Sequence, residues 1–189
     1  MQNFINHLKK YVALTVKDIE VLSTFVKFKK IEKKDFLLRE GQVCSNNYFV
    51  ENGLLRMYFI NEKGIEQVTH FALENWWLAD YMSFIMQNPS QFFIQAVENT
   101  EIICLDYHQQ EELFKRLPQL EKYFRIIAQR ANAASQMRVK FFHDYSKEEN
   151  YRAFSSQFPS FVQRIPQYML ASYLGITPEY LSELRKKLG

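Results

Sequence analysis

The strongest constraint on this chain lies at its end, in the stretch IPQYMLASYLGITPEYLSELRKKLG, Ile165 to Gly189. Pro166 suits the first position of a helix, and Leu170 and Leu174 fall one turn apart on one face of it. Ala171 is small enough for a second helix to cross closely. Gly175 permits the left-handed backbone that ends a helix, and Ile176 plugs the corner behind it. Thr177, Pro178 and Glu179 then supply an N-cap, a proline at the first helical position and an acid in the first turn. Leu181, Leu184 and Leu188 give the second helix its buried face. Two apolar stripes joined by Gly-x-Thr at this spacing predict a helix-turn-helix.

That arrangement leaves Glu179, Tyr180, Ser182, Glu183 and Lys186 facing outward. A helix laid in the major groove of DNA reads base edges from its first turns, while basic side chains and backbone amides hold phosphates. The candidate DNA-binding residues are therefore Thr177, Glu179, Tyr180, Ser182, Glu183, Arg185, Lys186 and Lys187. Glu179, Tyr180 and Ser182 are assigned to the bases. Arg185, Lys186 and Lys187, with Arg164 just upstream, are assigned to the phosphates, and each such contact would make affinity fall with salt. The same spacing also fits a helical hairpin that only packs, with its lysines as a solvated tail.

Upstream the period changes twice. Residues 3–14 and about 15–25 read as helices, the second opened by Thr15 as N-cap with Asp18 in the first turn. From Phe28 to Tyr107 the pattern is that of short strands. NYFVENGLLRMYFINEKGIEQVTHFAL carries two hairpin signals, at Asn52-Gly53 and at Asn61 to Gly64, and FFIQAVENTEIICLDY reads as a further strand pair broken at Glu98-Asn99. An aromatic content of 16% needs a core wide enough to bury rings, which favours a β-sandwich or roll here. Beyond Pro118, which suits the start of a helix, Leu120, Phe124, Ile127, Ala131 and Ala134 recur in alternating steps of four and three. That is a dimer seam with close-approach alanines, or the face of a helix packed on its own roll. Ser146 and Glu149 form a capping box that starts a fresh helix, and SFVQRI, Ser160 to Ile165, reads as a short strand. The fold class is thus α+β: a sensor unit of N-terminal helices and a jelly-roll-like β-roll over 1–118, a dimerisation helix over 119–143, and a small helix-turn-helix unit over 144–189.

Charge and chemistry narrow the function. The net charge of +3 permits an acidic partner without requiring one. Cys44 and Cys104, with no CxxC pair, are too few for an iron–sulfur cluster, offer no zinc spacing, and read as small buried hydrophobes. His7, His70, His108 and His143 are scattered without ligand spacing, so a cupin-like metal enzyme is not expected. No nucleophile-and-base constellation or Gly-rich phosphate loop is visible. With no signal-peptide core and no apolar run long enough to span a bilayer, a cytoplasmic protein without cofactor or metal is expected.

The order of elements resembles the Crp/Fnr transcription regulators from about residue 28 to the end. The landmarks are LLREGQ, the glycine in YFVENGLLRMYF, the turn NEKG and LASYLGITPEYLSELRKK. The resemblance implies a cyclic-nucleotide-binding-like sensor, a homodimer built on the long helix, double-stranded DNA as ligand, and RNA polymerase as partner. In members that bind cyclic nucleotides, a Gly-Glu pair and a later Arg-Ser or Arg-Thr hold the ribose hydroxyl and the phosphate. Those positions fall here on Ala79, Asp80, Ser90 and Gln91. A buried phosphate without arginine loses a bidentate, charge-assisted partner, so a degenerate pocket that does not respond to cyclic nucleotides is expected. Trp76, Trp77, Phe84, Phe92 and Phe93 surround it, so either a small apolar effector binds there or the rings fill the roll.

The reading helix departs too. Where many relatives place guanine-reading arginines, this chain has Pro178 and Glu183, and the acid between them is retained as Glu179. An acid accepts from cytosine N4, so the operator must differ or the affinity be modest. The chain stops at Gly189, so the wing of relatives is expected to be reduced or absent. AraC-like regulators share a similar ITPEYLSEL, but they carry two such motifs and Phe161 to Gly189 has room for one. The remaining alternative is a dimeric small-molecule sensor or interaction module with a vestigial DNA-binding domain.

Overall fold

The computed structural model describes residues 1–188, apart from the Leu188 side chain. Two helices, α1 (Gln2–Lys9) and α2 (Val16–Phe25), precede the strands β1 (Val26–Ile31), β2 (Phe36–Leu38), β3 (Asn46–Asn52), β4 (Leu55–Ile60), β5 (Glu66–Ala72) and β6 (Trp77–Leu78). A short helix, α3 (Tyr81–Met86), interrupts them before β7 (Phe93–Ala96) and β8 (Thr100–Asp106). Helices then follow as α4 (Tyr107–Arg116), α5 (Gln119–Asp144), α6 (Lys147–Gln157), α7 (Pro159–Arg164), α8 (Gln167–Leu174) and α9 (Pro178–Leu188).

The strands form two antiparallel sheets, ordered β1-β8-β3-β6 and β2-β7-β4-β5. Alternation along each strand sends one face inward, where Leu38, Tyr48, Val50, Leu55, Met57, Ile94, Ile102 and Cys104 make the interior of the roll. The outer face of the first sheet, through Phe49, Ile103 and Leu105, packs on α1, α2, α4 and the start of α5. The outer face of the second, through Tyr58, Val68 and Phe71, packs on the C-terminal helices. The expected mixture of helices with an antiparallel roll is therefore present, with helices on both flanks.

Asn61 to Gly64 is a hairpin as expected: Gly64 takes φ +74° and the Asn61 carboxamide accepts from the amides of Lys63 and Ile65. Asn52-Gly53 is not, because β3 and β4 lie in opposite sheets. Gly53, at φ +108°, turns a corner between them, and a Cβ there would lie 2.6 Å from Thr100 Oγ1 and 2.9 Å from the Asn99 carbonyl. The break at Glu98-Asn99 is the matching corner, so β7 and β8 also part into different sheets rather than pairing. Strand alternation is identical in a hairpin and in a corner, which is why the sequence pattern reads both as pairs. SFVQRI is helical instead, in α7. Its proline occupies the first turn and its adjacent Phe161 and Val162 are both buried, a pattern that a half-exposed strand does not produce.

Candidate nucleic-acid interface

The terminal helices assemble by the local chemistry their residues dictate. Gly175 ends α8 in the left-handed conformation (φ 66°, ψ 35°), donating to the Ser172 carbonyl while Ile176 donates to Ala171. Thr177 Oγ1 accepts from the Tyr180 amide at 3.2 Å, the N-cap bond that starts α9. Leu170, Leu174, Ile176, Leu181 and Leu184 are buried between the helices, and the side chain of Leu188 lies outside the described residues.

The face opposite those leucines is open. Thr177, Glu179, Glu183, Lys186 and Lys187 are exposed, and Tyr180, Ser182 and Arg185 are half-buried along its border. The charges on it are not equally available. Lys187 Nζ lies 2.8 Å from Glu148 Oε2, and Arg152 lies 3.1 Å from the same carboxylate. The hydrogen bond from Lys187 is the main reason the Glu148 carboxyl titrates below the usual range. Arg164 is not free to meet phosphate: its guanidinium donates to Glu74 at 2.9 and 3.0 Å and to Glu98 at 2.5 Å, both on the roll. Burial alone would raise the Glu74 carboxyl, but Arg164 and the Gly53 amide outweigh it and hold it down.

Arg164 is one of three side chains that fix these helices to the roll, and sequence reasoning missed that role for all of them. Ser172 Oγ accepts from the Val68 amide and donates to the Glu66 carbonyl, each at 2.9 Å, so α8 occupies the open edge of β5. Arg138, on α5, donates to the Thr69 carbonyl and lies over the Tyr173 ring at 4.2 Å. A serine or arginine within a helix carries no one-dimensional sign of such a contact.

The degenerate pocket positions are brought together but closed on themselves. Asp80 Oδ1 accepts from the amides of Met82 and Ser83, starting α3, and Asp80 Oδ2 accepts from Ser90 Oγ at 2.7 Å. The Phe92 amide donates to Ser90 Oγ in turn, at 3.0 Å. Ala79, Asp80 and Ser90 are buried, and Gln91 is exposed. Entry of an anion would break these bonds without meeting a cation among the four residues. The five surrounding rings disperse: Phe84 and Phe92 go to the roll interior, Trp77 to the outer face of the first sheet and Phe93 to that of the second, while Trp76 is exposed.

On α5, Leu120 is buried, and Phe124 and Ile127 pack partly against the cluster outside the first sheet. Ala131 and Ala134 are exposed, as are Ala128, Ser135, Val139 and Phe142. The exposed surface of the helix therefore begins directly after Ile127, at Ala128, and runs beside Arg138.

Known proteins give this geometry a context. Residues 28–117 match the family described as cyclic nucleotide-binding domain. The chain is 26% identical to the anaerobic regulatory protein of Haemophilus influenzae, over 93% of this chain and 74% of that one. It is 26% identical to the transcriptional activator protein anr of Pseudomonas aeruginosa, over 92% of this chain and 75% of that one. Among solved structures, the c-di-GMP responsive global regulator CLP of Xanthomonas campestris shares the fold with a TM-score of 0.73 at 13% identity, covering 92% of this chain and 91% of that chain.

Proposed function

We propose that this chain is a transcription regulator of the Crp/Fnr family, which reads two operator half-sites as a homodimer and does not answer to cyclic nucleotides. Residues 1–118 act as the sensor, 119–143 as the dimerisation helix and 144–189 as the DNA reader. The observation that carries the reading is the open face of α9, capped by Thr177 and set at a fixed angle by Gly175. Glu179, Tyr180 and Ser182 read bases, with Thr177 and Glu183 exposed beside them; Arg185 and Lys186 hold the backbone, joined by Lys187 once it leaves Glu148. The dimer forms along Phe124, Ile127, Ala131 and Ala134, extended by Val139 and Phe142, whose apolar side chains are exposed in a single protomer. The closed Asp80–Ser90 pair supports indifference to cyclic nucleotides, and a small apolar effector is the alternative signal. RNA polymerase is the partner that family resemblance supplies, and DNA places the protein in the cytoplasm. No helix among the described residues is long and apolar enough to cross a membrane.

Selection of bound sites from fragmented genomic DNA tests this directly. An enriched inverted repeat is expected, with affinity that falls linearly in log salt and does not move on adding cyclic AMP. Fragments that show neither enrichment nor a salt slope would leave the second reading, a dimeric sensor or interaction module with a vestigial DNA-binding domain. The acids at Glu179 and Glu183 and the Lys187–Glu148 pair are the features that favour it.

A further inference from the structure

The connections β3–β4, β5–β6 and β7–β8 each cross from one sheet to the other, and two of them carry the acids that hold Arg164. Glu74 follows β5 and Glu98 follows β7. Glu74 Oε1 also accepts from the Gly53 amide at 2.9 Å, in the β3–β4 connection. Thr100 Oγ1 donates to the Glu98 carbonyl at 2.7 Å and accepts from the Leu54 amide at 3.3 Å, which ties Glu98 to the same corner. The place of both acids is therefore set by the backbone of the roll and not by the reader.

What they hold has the chemistry of a phosphate ligand. Arg164 ends α7 just before α8, the first helix of the reader, and in helix-turn-helix proteins that helix crosses the DNA backbone. Two guanidinium nitrogens meet the two Glu74 oxygens side by side, at 3.0 and 2.9 Å, the fork geometry in which arginine also takes phosphate. Glu98 Oε1 accepts a further bond from Nη2 at 2.5 Å. Two carboxylates around one guanidinium leave a net charge of −1 where a duplex needs a positive one. The side chains of Arg164, Glu74 and Glu98 are 32%, 29% and 36% exposed, so phosphate can compete for the guanidinium while the roll stays folded. The pattern recurs at α6, where Glu148 occupies Lys187.

We propose that Glu74 and Glu98 stand in for operator phosphate: they hold the reader docked in a weakly binding state, and DNA competes with them for Arg164. This rests on the DNA-reading assignment of α9 and adds a restraint to it. The restraining acids belong to the sensor unit, so the roll has a direct hold on DNA affinity.

Filter binding of the full chain to a mixed-sequence duplex over a series of salt concentrations tests it, because phosphate contacts do not depend on sequence. The double variant Glu74→Gln/Glu98→Gln should bind about fivefold tighter, and its slope of log affinity against log salt should steepen by about one. Adding Arg164→Gln should remove both gains, which separates release of Arg164 from the simple loss of two negative charges. Hydrogen exchange of the double variant should quicken in α7 and α8 and stay slow in β3 and β8, which shows the roll intact. Gains that persist in the triple variant, or a double variant indistinguishable from the wild type, would overturn the inference and leave the DNA reading standing. A duplex bound by none of these proteins would overturn both.

Discussion

The Tyr123 hydroxyl sits between two partners that decide where its proton goes. The Trp77 indole can only donate, at 2.8 Å, so Tyr123 accepts from it, and its own proton is left for His7 Nδ1, 2.9 Å away, when that nitrogen is unprotonated. The neutral imidazole is the form that burial favours. Burial is the largest reason its pKa falls below the ordinary 6.5, and the positive charges of Lys10 and Arg130 add to it. A base whose folded pKa is depressed contributes stability above its unfolded value, and that stability is lost as pH falls from 6.5 through the folded pKa. The urea midpoint should accordingly drop between pH 8 and pH 5, and His7→Gln should flatten that drop. Tyr123→Phe, which strands both Trp77 and His7, should cost about 1–3 kcal/mol at pH 8. At this scale the sequence is least informative. His7 reads as an isolated helix residue because its partner lies 116 positions away.

Elements were the most legible level wherever a terminus carried its own chemistry. The N-cap at Thr15 and the capping box at Ser146–Glu149 form as their spacing implies, and so does the turn at Gly175; Asp18 completes a second box with Thr15. Gly175→Ala should destabilise the terminal unit by about 1–2 kcal/mol, since the left-handed conformation disfavours any Cβ, and this one would also lie 3.2 Å from the Phe142 ring. Differential calorimetry measures it. On α9, Lys186→Ala should reduce the salt slope of operator binding by about one. Lys187→Ala should do less, because that lysine already spends its charge on Glu148. Glu148→Gln should release it and tighten binding, which a filter-binding titration at two salt concentrations resolves. For α5, Ala131→Glu should place unpaired charge in the proposed seam and yield a monomer by sedimentation velocity. Periodicity alone was ambiguous there, because one stripe serves two purposes: Leu120, Phe124 and Ile127 pack on the chain's own core, while Ala131 and Ala134 remain free.

At the level of the whole molecule, the roll was readable as a kind but not as a connectivity, since corners at Gly53 and Asn99 leave the same alternation as hairpins. The attachment of the reader to the roll was not readable at all. It depends on Arg164 meeting Glu74 and Glu98, and on one apolar cluster shared by Leu54, Tyr58 and Phe71 with Phe161, Leu170 and Leu181. Arg164→Ala should therefore weaken the attachment by about 1 kcal/mol, a figure held down by partial solvent screening of the pair. It should show as faster hydrogen exchange across α7–α9 with the roll unchanged.

Ser172 gives that attachment a second meaning. Its hydroxyl is the neighbour of a strand that ends the sheet, satisfying the Val68 amide and the Glu66 carbonyl as another strand would. Any rearrangement that swings the reader outward uncovers those two groups together. Water must then take them, or the β5 of another molecule will, so freedom of movement and a tendency to stick to itself come as a pair.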